Sequence, residues 1–280
     1  MPAKPKLTIA AIGDSITAGF HIASDLNMFL RMWVKKKNSW FSEIVRQIRE
    51  KIPVVSYNFS SAGSKLSDKT FPGPLDKLFR IKNMGAQVDE VLQLDSFPDM
   101  VLIWMGHNDL NWLAKKEKDI TKIGQQFGLD FQKQLERLCV QATQQNNKTA
   151  IIVLGFINIR TLFYLRDVVA AIKKQNSKLF PYFEKGYKMF PSMRPEYKEQ
   201  TIKLADMMNT ELANSVAFCQ NNYQNDRFCI LYSDDLSKLS TNSPSHVTAI
   251  DGWHPSIEGQ KQLAKTIWPV IEKELEKLLN

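Results

Sequence analysis

Cysteine is scarce in this sequence. Cys139, Cys219 and Cys229 are the three cysteines among 280 residues, and no two of them form a Cys-x-x-Cys pair. Zinc sites and disulfide frameworks need more thiols at closer spacing, so we predict neither. A bond between Cys219 and Cys229 stays open for an exported protein.

Long apolar runs are missing as well. No stretch reaches the roughly 20 residues that a transmembrane helix needs. Residues 1–6 lead directly into the apolar run Leu7–Ile12, which leaves no room for a signal peptide before it. We expect a protein that stays inside the cell, one that leaves without a classical signal, or one whose leader was removed. The sequence does not choose among these.

Acidic residues are outnumbered by basic ones, 29 to 37, which gives a formal net charge of +8. This excess favours contact with anionic surfaces, so peripheral contact with an anionic membrane is left open. The runs Lys35–Lys37 and Lys115–Lys116 are interpreted as solvated ends of helices or loops. Because the sequence has no nucleic-acid-binding motif, we expect no nucleic acid as a partner.

The composition is that of a folded domain. Hydrophobic residues make up 44% of the chain and charged residues 24%, as in typical globular proteins. No internal repeat, low-complexity tract or Pro/Gly/Ser-rich linker marks a boundary. We therefore predict one domain over residues 1–280.

Five apolar runs of strand length alternate with helical patterns. The runs are Leu7–Ile12, Pro53–Phe59, Met100–Met105, Ala150–Phe156 and Arg227–Tyr232. Helices are predicted from Asn38 or Ser39 to Ile52, over Leu75–Leu94, over Asp119–Gln145, in a segment ending near Cys219, and over Ser256–Leu279. This alternation predicts a three-layer α/β/α sandwich around a mostly parallel five-stranded sheet.

One irregular stretch, residues 158–195, is rich in aromatic residues and lysine. It is interpreted either as a lid or substrate wall, or as a helical insertion that buries its own aromatic side chains on the domain.

Polar residues of catalytic type follow the first three predicted strands. Ser15, Gly63 and Asn108 lie in the three loops that leave these strands. Parallel α/β sheets bind ligands at the carboxyl ends of their strands, so we expect the three residues to meet at one edge of the sheet.

A serine hydroxyl becomes a nucleophile only with a base in hydrogen-bond reach, itself oriented by a third group. The histidines are His21, His107, His246 and His254. Only His254 has a carboxylate at compact loop spacing before it, Asp251 in Asp-Gly-Trp-His. Neither this motif nor Gly-Asp-Ser is specific alone; their joint occurrence in order is informative.

Taken together, four sequence blocks resemble those of the SGNH, or GDSL, hydrolases and span residues 9–260. The blocks are Gly13-Asp14-Ser15-Ile16, Gly63, Gly106-His107-Asn108-Asp109 and Asp251-Gly252-Trp253-His254. The Gly-x-Ser-x-Gly motif of the α/β-hydrolases is absent, which argues against that rival fold.

The resemblance implies a flavodoxin-like SGNH fold and a role for each matching residue. Ser15 would be the nucleophile, His254 its base and Asp251 the residue that orients the base. The main-chain N–H groups of Ser15 and Gly63 and the side-chain amide of Asn108 would donate to the oxyanion. No cofactor and no metal is expected in this mechanism.

Three further residues of the blocks are given other roles. His107 stands where many members of the family have a small residue, and it either fills space or faces the substrate. Asp14 and Asp109 are expected to hold turns through hydrogen bonds from their side chains to the backbone.

Within the family, the phospholipase B-like branch is the most similar. The similar segments are Asn58–Asp68, Gly106–Leu110 and Ile152–Leu165. This implies a lipid ester as substrate and a phospholipase A or lysophospholipase activity. The alternatives are a carbohydrate or small-molecule acetylesterase of the same fold and a catalytically silent lipid-binding module.

Overall fold

The computed structural model describes residues 6–19, 38–66, 81–116, 119–180, 183, 191–240, 243–247 and 254–280. Their centre is a five-stranded sheet in which every pair of neighbouring strands is parallel. The strands are β1 (Leu7–Gly13), β2 (Val54–Asn58), β3 (Met100–Trp104), β4 (Thr149–Leu154) and β5 (Phe228–Ser233).

The burial of each strand follows from its place in the sheet. The strands run in the order β2-β1-β3-β4-β5. Every residue of β3 and β4 is buried, as expected for apolar strands covered by helices on both faces. The edge strand β2 has only partly buried or exposed residues. The predicted α/β sandwich is confirmed, with an entirely parallel sheet.

Strand order also determines where a crevice forms. The chain passes from β1 to β2 on one side and then crosses back to β3 on the other side of β1. The loops after these strands diverge at that point, and ligands bind there in folds of this kind. The carboxyl end of β1, where Gly13 leads into Ser15, is therefore the expected site.

Helices on both sides of the sheet account for most of the remaining described residues. They are α1 (Trp40–Arg49), α2 (Met84–Leu92), α3 (His107–Lys116), α4 (Ile120–Thr143), α5 (Ile159–Gln175), α6 (Lys198–Tyr223) and α7 (Ile257–Leu279). Short 3-10 turns lie at Pro191–Met193, Pro195–Tyr197, Asp235–Lys238 and Pro244–His246.

The predicted helix boundaries are close to the observed ones where a capping side chain marks the start. Ser39 caps α1 by accepting a hydrogen bond from the backbone N–H of Ser42 at 3.3 Å. Ser256 caps α7 by accepting from Gly259 N–H at 3.0 Å. The described part of the predicted helix over Leu75–Leu94 begins at Met84, and residues 75–80 of that prediction lie outside the described residues.

One helix was not predicted, and a second was predicted only as one of two interpretations of its segment. Helix α3 begins at His107, directly after Gly106, in a segment that the sequence analysis treats as a loop. Helix α5 occupies the first half of the stretch 158–195, as the helical interpretation expects, and buries Ile159, Phe163 and Arg166 at helical spacing. Mixed aromatic and lysine residues obscure this spacing in the sequence, although Asn158 is a capping residue whose side chain accepts from the N–H of Arg160 at 3.1 Å.

The apolar core extends from β1 to α7. Trp40, Trp104 and Phe131 are among its largest fully buried side chains. A second, smaller cluster joins α5 to the residues after it and consists of Leu165, Val169, Phe180, Phe183 and Val247. Part of the stretch 158–195 therefore buries its own aromatic side chains, which is one of the two interpretations given for it.

All three cysteines are free, and their neighbours differ from the pairing left open above. A hydrogen bond with Cys219 and burial raise the pKa of the Cys139 thiol, so these two residues lie side by side between α4 and α6. Cys229 instead donates to the Glu274 carboxylate, with 3.2 Å between sulfur and oxygen. Burial raises the pKa of Cys229 to about 12. Cys219 therefore has Cys139 as its neighbour, not Cys229.

Candidate active site

Ser15 lies in the turn that follows β1 and is 8% exposed. Its Oγ is 3.2 Å from Nε2 of His254, a residue 239 positions later in the sequence. The His254 side chain is almost fully buried. With the proton on Nδ1, Nε2 is the acceptor that a serine nucleophile requires. The structure thus brings together the two residues that the sequence analysis pairs.

Asp251 lies outside the described residues, and its role stays a prediction. The residues after His254 are tied to the turn at Pro244–His246. Pro255 forms an isolated antiparallel bridge with Val247, and the Ser256 N–H donates to the His246 carbonyl at 3.0 Å. A side chain at Gly259 would place its Cβ 2.0 Å from that same carbonyl oxygen. Only glycine allows this close approach of α7 to the turn.

The expected oxyanion donors lie in the loop after β2 and at the start of α3. Gly63 has φ +81°, which favours glycine. The Asn108 side-chain amide donates to the Ser64 carbonyl at 2.9 Å, which fixes the amide plane and leaves its second N–H available. Within the described part of the chain, no acceptor pairs with the backbone N–H of Ser15 or of Gly63.

Asp14 is fully buried and shapes the turn that carries Ser15. One carboxylate oxygen accepts from the N–H of Ile16 at 3.0 Å, which agrees with the turn-holding role expected for Asp14. The other lies 2.9 Å from Nδ1 of His107. The His107 ring packs edge-on against Trp104 and Phe156, with centroid separations of 5.1 and 4.9 Å. His107 therefore helps to hold the nucleophile turn.

Asp109 holds a neighbouring loop. Its two carboxylate oxygens lie 3.3 and 3.2 Å from the N–H of Leu66, at the end of the segment that contains Gly63. The side chain is buried, and this burial raises its pKa to about 7. Because no solvent stabilises the charge of this buried carboxyl, it ionises only near neutral pH.

A cleft opens beside Ser15 and His254. Most of its wall is apolar and is contributed by α3, the segment after β4, the beginning of α5 and the turn at Pro191–Met193. The apolar lining residues are Ile16, Leu110, Ile157, Ile159, Leu162, Met193 and Pro255. The stretch 158–195 therefore also forms part of the wall, which agrees with the other interpretation given for it.

Ser192 and Thr201, two polar residues of this wall, form hydrogen bonds within the protein. Ser192 donates through its hydroxyl to Oδ1 of Asn111 at 2.9 Å. Thr201 donates to the Ser192 carbonyl at 2.7 Å. Because these hydroxyl protons are already used inside the protein, the wall presents mainly apolar surface to a ligand.

Two buried glutamines near the site were not singled out from the sequence. Gln87 on α2 and Gln260 on α7 are both fully buried and bond to the turn that carries Ser15. Each occupies a core-facing position among apolar residues, Val88 and Val91 for the first, Leu263 and Ile267 for the second. A polar residue on an otherwise apolar helix face is the signal that could have identified them.

Metal-binding clusters and membrane-spanning helices are both missing from the ranges that the structure describes. In these ranges, no group of three or more His, Cys, Asp or Glu side chains is placed to hold a metal ion. No helix among the described residues combines the length and the apolar character needed to cross a bilayer.

A serine and a histidine in contact at the carboxyl edge of a parallel sheet are the arrangement of a serine hydrolase. Residues 9–267 match the family model of GDSL-like lipases and acylhydrolases. The chain therefore belongs to this family and is a GDSL hydrolase that acts on esters. The family predicted from the four sequence blocks is confirmed.

Solved structures of similar fold come from several substrate classes. Lipase Lip_vut3 from a goat rumen metagenome has a TM-score of 0.51 and 16% identity, covering 94% of this chain and 96% of its own. Phospholipase A1 from Streptomyces albidoflavus has a TM-score of 0.54 and 12% identity, covering 93% and 97%. Est24, a carbohydrate acetylesterase from Sinorhizobium meliloti, has a TM-score of 0.56 and 16% identity, covering 95% and 99%. At these identities the likeness establishes the fold alone.

A comparison of the sequence with curated proteins finds no match.

Proposed function

We propose that this protein hydrolyses acyl esters of lipids, with Ser15 as nucleophile and an apolar cleft that accepts the acyl chain. The observation that carries the proposal is the Ser15–His254 contact of 3.2 Å at the edge of a mainly apolar cleft. The contact supplies an activated hydroxyl, and the cleft supplies a surface that an acyl chain can cover.

The first half of the reaction forms an acyl-enzyme. The Ser15 hydroxyl oxygen attacks the ester carbonyl carbon while His254 Nε2 takes the hydroxyl proton. The negative charge that develops on the carbonyl oxygen is met by the N–H groups of Ser15 and Gly63 and by the free N–H of Asn108. The carbon–oxygen bond to the alcohol then breaks, and His254 returns its proton to the departing alkoxide.

Water completes the cycle. It attacks the acyl carbonyl and gives a proton to His254, and the same donors stabilise the second tetrahedral intermediate. His254 then protonates Ser15 as the fatty acid leaves. Asp251 is assigned the role of holding His254 in the tautomer with the proton on Nδ1 and of stabilising the imidazolium.

The apolar wall supports a lipid substrate of the phospholipase A or lysophospholipase type. Leu110, Leu162 and Met193 contribute side chains to the wall, and covering its apolar surface with an acyl chain removes that surface from water, which favours binding. The net charge of +8 favours approach to an anionic lipid surface. The similarity to the phospholipase B-like branch points to the same substrate class.

A carbohydrate acetylesterase is the second candidate, favoured by the likeness of fold to Est24. Such an enzyme needs room for two carbon atoms of acyl group and polar groups that recognise sugar hydroxyls. The hydroxyls of Ser192 and Thr201 in the cleft wall already donate to groups of the protein, so they are not free to donate to a sugar, and this favours a lipid substrate. A silent lipid-binding module is disfavoured by the intact Ser15–His254 contact.

Release of fatty acid or acetate tests these alternatives. The purified protein would be given phospholipids, lysophospholipids, p-nitrophenyl esters from acetate to palmitate, and acetylated sugars. Ser15→Ala is the test variant. Ser42→Ala is its matched control, because the Ser42 hydroxyl donates only to the backbone carbonyl of Ser39, at 2.8 Å.

Each result selects one candidate. Release from lipids that Ser15→Ala abolishes and Ser42→Ala preserves supports the proposal. Ser15-dependent release confined to acetyl esters supports the carbohydrate esterase. A wild-type protein that is inert on the whole panel, and that a fluorophosphonate does not label at Ser15, contradicts the catalytic assignment.

A further inference from the structure

Two buried glutamine side chains bond to the turn that carries Ser15. Gln87 is on α2 and Gln260 is on α7, and neither side chain is exposed. Gln87 bonds to Gly13, two residues before Ser15, and Gln260 bonds to Ile16, one residue after it. Along the chain, Ser15 therefore lies between two residues that are held by side-chain amides from different helices.

Gln87 links the nucleophile turn to the loop that carries Gly63. Its Oε1 accepts from Gly13 N–H at 2.8 Å, and its Nε2 donates to the Gly13 carbonyl at 3.0 Å. The same Nε2 donates to the Ser64 hydroxyl at 2.8 Å. Ser64 in turn accepts the Asn108 amide on its carbonyl. One glutamine thus connects the nucleophile turn with both of the oxyanion donors outside that turn.

Gln260 links the same turn to the helix that follows His254. Its Nε2 donates to the Ile16 carbonyl at 3.1 Å, and its Oε1 accepts from Trp40 N–H at 2.8 Å. Gln260 lies in the first turn of α7, six residues after His254, and its own N–H donates to the Ser256 carbonyl at 2.8 Å. The distance between Ser15 and His254 is therefore set partly through this amide.

The pattern of partners explains why both residues are amides. Each side chain meets a backbone N–H and a backbone carbonyl at the same time, so it needs an acceptor and a donor in one planar group. An ionised carboxylate in either position would place a negative charge against a carbonyl oxygen. A methionine of similar volume would leave both backbone groups without their partner.

We propose that Gln87 and Gln260 are positioning residues, the first for the oxyanion donors and the second for His254, each relative to Ser15. This inference rests on the proposed function of the Ser15 site. It assigns the two glutamines separable effects, because Gln87 acts through Ser64 and Asn108, whereas Gln260 acts through α7. A role in folding alone would lower the amount of active protein without such selectivity.

Steady-state and single-turnover kinetics with p-nitrophenyl butyrate test the inference. Gln87→Met and Gln260→Met are each expected to lower kcat about 10- to 100-fold with KM within about threefold of wild type, since small misplacements of reacting groups have costs of this size. The two variants are then combined separately with Asn108→Ala and with His254→Ala. Effects on groups that act as one unit do not multiply, whereas independent effects do.

The expected results form a crossed pattern. In the Asn108→Ala background, Gln87→Met should lower kcat by less than in wild type, because only the Gly63 donor still depends on it, while Gln260→Met keeps its full effect. In the His254→Ala background, Gln260→Met should have little further effect on the rate of single-turnover acylation, while Gln87→Met keeps its full effect. Costs that multiply for Gln87 and Asn108, or for Gln260 and His254, overturn the inference, as do methionine variants with wild-type kcat.

A milder pair of variants covers the case in which a methionine variant fails to fold. Ser64→Ala removes the hydroxyl that links Gln87 to the loop. Ser215→Ala removes an equally buried hydroxyl that donates to the Glu211 carbonyl of α6 at 2.8 Å and to the Gly128 carbonyl of α4 at 3.3 Å. Only Ser64→Ala should lower kcat, by about tenfold. Equal losses in the two serine variants contradict the linking role of Gln87. Wild-type protein without Ser15-dependent turnover contradicts the proposed function itself.

Discussion

The two sides of the cleft are built from different kinds of interaction. On the Ser15 side, directional hydrogen bonds dominate, and they come from Asp14, Gln87 and Gln260. On the opposite side, Leu162, Met193 and their apolar neighbours form the wall. Hydrogen bonds fix distances and angles closely, whereas apolar contacts are tolerant of shape changes. The reaction geometry can thus stay constant while the acyl preference varies with the wall.

The largest predicted effect comes from the Ser15 side. Ser15→Ala and His254→Ala should each lower kcat by a factor on the order of 10⁶, because neither residue acts without the other. Binding of a lysophospholipid to the wall should change little. The measurements are steady-state kcat and equilibrium binding with the same lipid. Loss of binding in step with turnover would contradict the separation of the two sides.

A smaller effect is expected from the oxyanion donors. Asn108→Ala removes a side-chain N–H aimed at the developing charge and should lower kcat by about 10²–10³ with little change in KM. Asn108→Asp has the same shape but no donor when ionised, so we expect an equal or greater loss. A rise in KM without a fall in kcat would show that Asn108 serves ground-state binding instead.

The wall is expected to control chain length with a still smaller effect. Leu162→Asn keeps the shape of the side chain but loses its apolar contact with an acyl chain. We expect kcat/KM for an octanoyl ester to fall about tenfold, in line with the transfer energy of one leucine, and kcat/KM for an acetyl ester to stay within about threefold. Leu129→Asn, at a leucine of α4 that is 62% exposed, is the control. Equal losses on both esters would contradict an acyl-binding wall.

The last predicted effect concerns stability rather than turnover. Burial raises the pKa of Asp109 to about 7 from 3.8. Folding therefore favours the protonated form, and the stability that depends on this proton is present below pH 4 and is lost as pH rises to 7. Asp109→Asn cannot ionise and can still accept from Leu66. The stability of the variant relative to wild type should rise across this window by at most about 1.4 kcal/mol per pH unit.

Urea unfolding of both proteins at pH 4, 5.5 and 7 measures this difference. If the free energies of unfolding of the two proteins differ by the same amount at all three pH values, the Asp109 carboxyl does not titrate differently in the folded and unfolded protein. The Ser15→Ala variant should show the pH dependence of wild type, because its substitution leaves Asp109 and Leu66 unchanged.

Local patterns in the sequence were sufficient for the sheet and for the edge where the site lies. Apolar runs such as Met100–Met105 and the residues that end them are patterns of a few positions, so they can be recognised without knowledge of the distant strands they pair with. The carboxyl ends of parallel strands meet at one edge, so the positions of Ser15 and Asn108 directly after their strands are enough to predict that the two residues lie near each other. The pairing of Ser15 with His254 came from the order of the four blocks.

The tertiary structure decided what depends on the docking of distant elements. Helix α5 was obscured because its aromatic and basic residues conceal the helical spacing that burial reveals. Cys219 lies beside Cys139, and not beside Cys229, which is nearer to it in the sequence. The reason is that α4 and α6 pack together.

The same distinction applies within the site. Gly-Asp-Ser and Asp-x-x-His are not specific singly, but their joint occurrence in order can be recognised from the sequence. The contacts of Gln87 with Gly13 and of Gln260 with Ile16 span 74 and 244 positions. A side-chain hydrogen bond requires its two atoms to lie within about 3 Å, and no local pattern specifies that distance between separate elements. The sequence determined which residues can carry out the reaction, and the packing of the helices against the sheet determined which residues hold them in place.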